Sequence, residues 1–145
     1  MDAVHRVSKV LVLCTGNSCR SQMAEGFLNA LPGISAESAG VEPASVVHPL
    51  AIQAMQEVGI DISSQYPKDV KELLGHEFKF VITVCDHARN RCPIFPMPPF
   101  RSLHIPFQDP IHAAGSVDEQ LAVYRTVRDQ ISAAMQEFAS TMAAR

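Results

Sequence analysis

The chain has 145 residues, of which 47% are apolar and 19% charged, and its formal net charge is −3. That length suits one domain over residues 1–145 with an ordinary core, and the acidic balance excludes a general nucleic-acid binder, which needs a basic surface. The longest clean apolar run, Val10 to Cys14, is far too short for a membrane span, and it runs into a polar loop with no cleavage site. A cytoplasmic protein without a signal peptide is therefore expected.

In chain order, Lys9 to Leu13 reads as a strand buried on both faces. A tight polar loop follows. Ser21 to Leu31 then carries Met23, Ala24, Phe27, Leu28 and Leu31 at helical spacing and stops at Pro32-Gly33. Ile34 to Ala39 is a weaker strand, closed by Gly40. Pro49 opens a helix with the stripe Leu50, Ala51, Ala54, Met55 and Val58, which Gly59 ends. His48 reads as a helix-start residue. Val70 to Leu74 suggests a short helix.

Phe78 to Val84 is a second buried strand, ending at Cys85. Pro93, Pro96, Pro98 and Pro99 exclude regular structure after it. Ser102 to Ile105 reads as a short last strand, with His104 near the sheet edge, and Pro106 to Ala114 as a loop. The last helix has a capping box at Ser116 and Glu119. Its core stripe is Leu121, Tyr124, Val127 (or Arg128 by its stem), Ile131, Met135 and Phe138. Strands alternating with helices predict an α/β fold: one three-layer domain, a parallel sheet flanked by helices.

The loop Cys14-Thr15-Gly16-Asn17-Ser18-Cys19-Arg20-Ser21 joins the first strand to the first helix. Backbone N–H groups of Thr15 through Arg20 can converge there on a tetrahedral anion, helped by the helix N-terminus. Gly16 allows close approach, and Asn17 tolerates a left-handed conformation. Arg20 supplies a planar fork for two oxygens. The same field is expected to lower the pKa of Cys14 and make it a thiolate nucleophile. Ser21 can donate to that sulfur. The bland alternative, a small buried Cys14 followed by a chance surface arginine, does not account for the strand before and the helix after. Cys19 reads as a buried support of the loop.

Cys14, Cys19, Cys85 and Cys92 are even in number, but a chain without an export signal is a poor host for structural disulfides. Cys85 ends a buried strand, so it lies at the same sheet edge as Cys14, where α/β sheets bind ligands. Cys92 follows in a charged stretch. A helical turn there would hold the two sulfurs apart, and unwinding would let them join. Arg89 and Arg91 should favour thiolate at Cys92. Zinc held by Cys85, His87 and Cys92 with His104 or His112 matches no common structural spacing. Two inert buried thiols are the plainer alternative.

The segment Val10 to Asn29, with its Cys-Thr-Gly-Asn-Ser-Cys-Arg-Ser run, resembles the low-molecular-weight tyrosine phosphatases. It is more closely similar to the thioredoxin-coupled arsenate reductases that share their fold. Those phosphatases typically carry Pro after the Arg-Ser pair, whereas Gln22-Met23-Ala24-Glu25 stands here, as in the reductases. The resemblance continues through Ser38-Ala39-Gly40, His48-Pro49, Gly59 to Ser63 and Phe107-Gln108-Asp109-Pro110. It thus covers nearly the whole chain.

The resemblance implies a four-stranded sheet and a three-cysteine relay that turns arsenate into arsenite. Cys14 attacks arsenic, Cys85 attacks Cys14, and Cys92 resolves the disulfide, which reduced thioredoxin then opens. Glutaredoxin or another thiol are alternative donors. Asp109 matches the general acid; an Asx turn before Pro110 is the plainer reading, and both can hold, since a turn would aim the carboxyl. Ile105-Pro106 stand where many of these reductases have Trp. The resemblance also implies no tightly bound cofactor, phosphate or sulfate as mimics of arsenate, a monomer, and potassium at Asn17, Glu25, Ser38 and Asp69. The rivals are a low-molecular-weight tyrosine phosphatase, for which Cys85 and Cys92 have no use, and a non-catalytic oxyanion or redox sensor.

Overall fold

The structure, a computed structural model, describes residues 7–96, 98–99 and 101–143. Four strands, β1 (Ser8–Cys14), β2 (Ile34–Gly40), β3 (Phe80–Thr83) and β4 (Arg101–His104), form one sheet in the order β2-β1-β3-β4. Every pairing is parallel. Four helices accompany them: α1 (Arg20–Asn29), α2 (Pro49–Gln56), α3 (Asp86–Arg91) and α4 (Val117–Phe138). Single 3-10 turns occupy Val70–Leu73 and Pro110–His112. No helix among the described residues is long and apolar enough to cross a membrane.

The strand order places the functional edge. The chain winds outward from β1 to β2 in one direction and from β3 to β4 in the other, so the C-terminal ends of β1 and β3 flank the switch point where α/β sheets open a crevice. Leu13 pairs with Thr83, and the Val84 N–H donates to the Leu13 carbonyl at 2.9 Å. Cys14 and Cys85 therefore leave adjacent strands at the same level.

Val10, Leu11, Val12 and Leu13 are completely buried, as expected of a central strand covered on both faces. The expected weak strand after Gly33 is a full seven-residue edge strand. The third strand is shorter than the apolar run Phe78 to Val84, because pairing with β4 ends at Thr83. The stretch Pro106 to Ala114, read as loop, contains the 3-10 turn capped by Asp109.

Helix α1 is buried nearly all round rather than along one stripe, including Arg20, Ser21, Gln22 and Glu25. Phe27 and Leu31, expected in its stripe, are only partly covered. Gly26 allows the closeness on one side: a Cβ there would meet Ile62 at 2.8 Å and Met55 at 3.1 Å. In α4 the Ser116–Glu119 capping box forms, and Val127 and Arg128 are both buried. Arg128 donates to the Ala54 carbonyl at 2.9 Å and to Glu57 at 2.9 Å, tying α4 to the end of α2. Phe138 meets Phe80 edge-on at 5.1 Å beneath the sheet.

Candidate active site

The loop after β1 is held from outside by its carbonyls. Those of Cys14, Thr15, Gly16 and Ser18 accept backbone N–H groups of Val41, Glu42, Ala44 and His48, at 2.8–3.2 Å. The Asn17 carbonyl accepts from the Gln22 side chain at 2.9 Å. Since a trans peptide sets its N–H opposite its C=O, carbonyls drawn outward turn the next N–H groups inward. The result is a nest of donors facing one centre, suited to an anion. One of them, the Asn17 N–H, donates to Cys14 Sγ at 3.1 Å. Asn17 itself sits at φ 54°, the left-handed conformation its residue type tolerates.

Gln22 is fully buried and is itself held by Gln65, whose amide donates to Gln22 Oε1 at 2.7 Å. This gives a physical role to the residue that replaces proline in the motif. The close backbone approach expected at Gly16 lies elsewhere. A Cβ on Gly16 meets nothing nearer than 3.6 Å, whereas one on Gly40 would stand 2.5 Å from the Thr15 carbonyl and 3.0 Å from Asn17. The glycine that the loop's packing demands is thus at the end of β2. Segment 41–48 acts on the loop through its backbone N–H groups and Gly40 through its lack of a side chain, so residue type alone does not mark this role.

Asn17 organises the polar contacts around Cys14. Its amide nitrogen donates to Ser21 Oγ at 2.7 Å and to Ser38 Oγ at 2.9 Å. Ser21 Oγ, already accepting there, lies 2.8 Å from Cys14 Sγ and can donate to its thiolate. Ser38 donates to Glu25 Oε1 at 2.6 Å. The expected depression of the Cys14 thiol does not hold in this arrangement: burial pushes it up, against the pull of Ser21, Arg20 and the Asn17 N–H. The reason is that Cys14 is only 2% exposed, and the Arg20 fork is directed to the Phe107 carbonyl at 3.1 Å and to Asp109 Oδ2 at 3.2 Å. Cys19 is buried as expected, 3.6 Å from the Tyr124 hydroxyl, and burial raises its thiol to about 11.

Cys85 caps the start of α3. Its sulfur accepts the Ala88 N–H at 3.4 Å and lies 3.3 Å from Thr15 Oγ1, so it reaches the anion loop directly. Cys92 ends α3, half-buried, 3.6 Å from the Pro93 carbonyl. The arginines do not favour its thiolate here: Arg89 turns to Asp86 at 3.9 Å, and burial pushes the Cys92 thiol up. All four thiols are free. The zinc arrangement is not assembled, because the rings of His87 and His104 face Glu42 at 3.4 Å and Asp86 at 2.8 Å.

The residues named for potassium come together only in part. Asn17 Oδ1 accepts the Lys68 N–H, and Ser38 spends its proton on Glu25. The Asp69 carboxylate caps the 3-10 turn through Lys71 N–H. The Lys68 ammonium lies 4.0 Å from Glu25 Oε1, where it supplies a positive charge of its own. His48 opens α2 as expected, its Nδ1 accepting the Leu50 N–H at 3.1 Å, and its ring lies 5.1 Å from that of Tyr124.

A parallel four-stranded sheet with a cysteine–arginine anion loop at its switch point defines a phosphatase-like α/β domain. The family model of the low molecular weight phosphotyrosine protein phosphatases matches residues 9–145. The chain belongs to that family. It is 44% identical over 134 residues to an arsenate reductase of Halalkalibacterium halodurans, covering 91% of this chain and 95% of the relative. It is 42% identical, over the same shares, to an arsenate reductase of Bacillus subtilis. A solved arsenate reductase in the phosphate-binding state superposes with a TM-score of 0.75 at 33% identity, over 94% of this chain and 99% of that one. A low molecular weight protein tyrosine phosphatase from T. tengcongensis superposes with a TM-score of 0.76 at 26% identity, over 93% and 99%.

Proposed function

We propose that this protein reduces arsenate to arsenite by passing two electrons through Cys14, Cys85 and Cys92. The observation that carries the reading is the contact between Cys85 Sγ and Thr15 Oγ1 at 3.3 Å. A hydrolase needs no second thiol at its anion loop; a reductase needs one there. The identity to arsenate reductases over nine-tenths of the chain supports the same conclusion.

Arsenate binds the inward N–H groups of the loop, and Arg20 moves its fork from Asp109 to the anion's oxygens. Ser21 and the Asn17 N–H favour the thiolate of Cys14. Its sulfur attacks arsenic, and an oxygen leaves as water with a proton supplied by Asp109. Cys85, as thiolate, then attacks Cys14 Sγ. The sulfur–arsenic bond breaks, its electron pair stays on arsenic, and arsenite leaves a Cys14–Cys85 disulfide. Cys92 attacks Cys85, freeing Cys14 as thiolate and forming a Cys85–Cys92 disulfide. A dithiol protein of the thioredoxin class reduces that bond. The reading assigns a monomer acting in the reducing cytoplasm, where all four thiols stay free between turnovers.

The test is arsenate-dependent NADPH oxidation in the presence of thioredoxin and thioredoxin reductase. Cys14→Ser should abolish it, and Cys92→Ser should allow at most one turnover. Normal cycling by Cys92→Ser excludes the relay. Aryl phosphate hydrolysis is the second reading, favoured by the same loop and by Asp109; there Cys85→Ser would leave the rate unchanged.

A further inference from the structure

Helix α3 is all that separates Cys85 from Cys92, and it cannot persist when they join. At a rise of ~1.5 Å per residue, the seven steps between them span about 10 Å. A disulfide needs Cα atoms within roughly 4.4–6.8 Å. So the reduced pair is the helical state and the oxidised pair an unwound one.

Apolar packing does little to hold α3 folded, since Ala88 is its one buried residue. Polar tethers do more. Asp86, the first residue of the helix and the neighbour of Cys85, accepts from His104 Nε2 at 2.8 Å. The other ring nitrogen of His104 lies 2.8 Å from Thr83 Oγ1, and Thr83 is buried at the end of β3. The His104 backbone is fixed as the last residue of β4, followed by the Ile105 N–H donating to the Thr83 carbonyl at 2.9 Å. His104 is thus a bracket from two strand ends to the first turn of α3. A looser contact, His87 to Glu42 at 3.4 Å, lies on a more exposed side.

The geometry points to His104 as a positioning residue for the thiol relay: through Asp86 it anchors the first turn of α3, holds Cys85 at the anion loop, and opposes the unwinding that lets Cys92 reach Cys85. This rests on the relay proposed above. A contact present in the helical dithiol and lost in the unwound disulfide stabilises the reduced form. Removing it must therefore make the Cys85–Cys92 disulfide easier to form and harder to reduce.

The experiment uses the full chain carrying Cys14→Ser, so that oxidation is confined to the pair of interest. Oxidised and reduced dithiothreitol set the potential: Cys85 and Cys92 give two electrons and two protons to oxidised dithiothreitol, which becomes the dithiol. The disulfide fraction is read by alkylation and mass. His104→Ala should raise the equilibrium constant for disulfide formation about fivefold, a potential lower by ~20 mV at 29.6 mV per tenfold. His104→Gln, which keeps an N–H for Asp86 and an acceptor for Thr83, should restore most of it. Asp86→Ala combined with His104→Ala should add little to either alone.

Amide exchange of the reduced chain reads the same anchor without any redox step. His104→Ala should speed exchange several-fold at the Arg89 N–H, which bonds the Cys85 carbonyl, and leave α4 unchanged. A change below twofold in both measurements overturns the proposal, as does full additivity of the two alanine variants. If the Cys14→Ser chain forms no Cys85–Cys92 disulfide at any potential, the relay itself falls; a faster Arg89 exchange in His104→Ala then still upholds the anchoring of α3.

Discussion

Arg20 and Asp109 are bound to each other, Nη2 to Oδ2 at 3.2 Å, before any anion arrives. The residue suited to clamp the substrate and the residue suited to protonate its leaving group thus neutralise one another. In the proposed reaction Arg20 turns its fork to the anion, so the loop's two charged groups become available in the same event. Asp109→Asn should lower turnover by about 10²–10⁴-fold while leaving anion binding unweakened, because Arg20 loses a competing partner. Steady-state kinetics with arsenate check this. A KM that rises along with the loss of kcat would show that Asp109 positions Arg20 rather than competes for it.

Thr15 offers a way to separate the two chemical steps. Its hydroxyl meets Cys85 while its backbone belongs to the anion loop. Thr15→Val keeps the backbone and removes the hydroxyl. Formation of the Cys14–Cys85 disulfide in a single turnover should slow by roughly tenfold, the scale expected for a misplaced reacting group. Hydrolysis of an aryl phosphate, which does not involve Cys85, should change little. Equal loss in both assays would assign Thr15 to the loop alone.

Gly40 packs under the loop, and the neighbour in its way is backbone. Gly40→Ala should push the Thr15 peptide outward and cost about 1–3 kcal/mol, as overpacking does. Urea unfolding measures the cost. Gly75→Ala makes a useful control, since a Cβ there meets nothing within 4 Å.

Acid sensitivity should concentrate at the junction of α2 and α4. Hydrogen bonds from Arg125, then its charge and Arg128, hold the Glu57 carboxyl down from 4.5 to about 2. A carboxyl depressed in the folded state adds stability above its unfolded value and loses it as pH falls toward the folded one. The stability gap between the natural chain and Glu57→Gln should therefore narrow as pH drops from 4.5 toward 2. Urea midpoints across that range are the measurement, and a gap independent of pH would refute the assignment.

Much of this architecture is legible in the residues themselves. Val10 to Leu13 announces a doubly covered strand, and the Ser116–Glu119 box marks the start of α4. Cys14, Arg20 and Ser21 are readable because their types are rare in combination and their spacing matches a strand–loop–helix turn. What holds the loop open is not readable, because backbone does it: Val41, Glu42, Ala44 and His48 act through their N–H groups, which every residue but proline has. Electrostatic direction is lost for a similar reason. The expected low pKa at Cys14 and the expected help from Arg89 at Cys92 both fail, because burial and a competing carboxylate depend on three-dimensional neighbours. The bracket from His104 to Asp86 joins residues 18 apart on two elements, and no local pattern marks it.

Leu13 and Thr83 are partners in the sheet although they stand 70 positions apart in the chain. Contacts of such sequence separation form slowly, since a long loop must close first. During synthesis Cys14 and Cys19 emerge together, whereas Cys85 joins them only after β3 has docked on β1. Under the proposed relay, electron transfer is therefore closed to the chain until β3 has docked on β1.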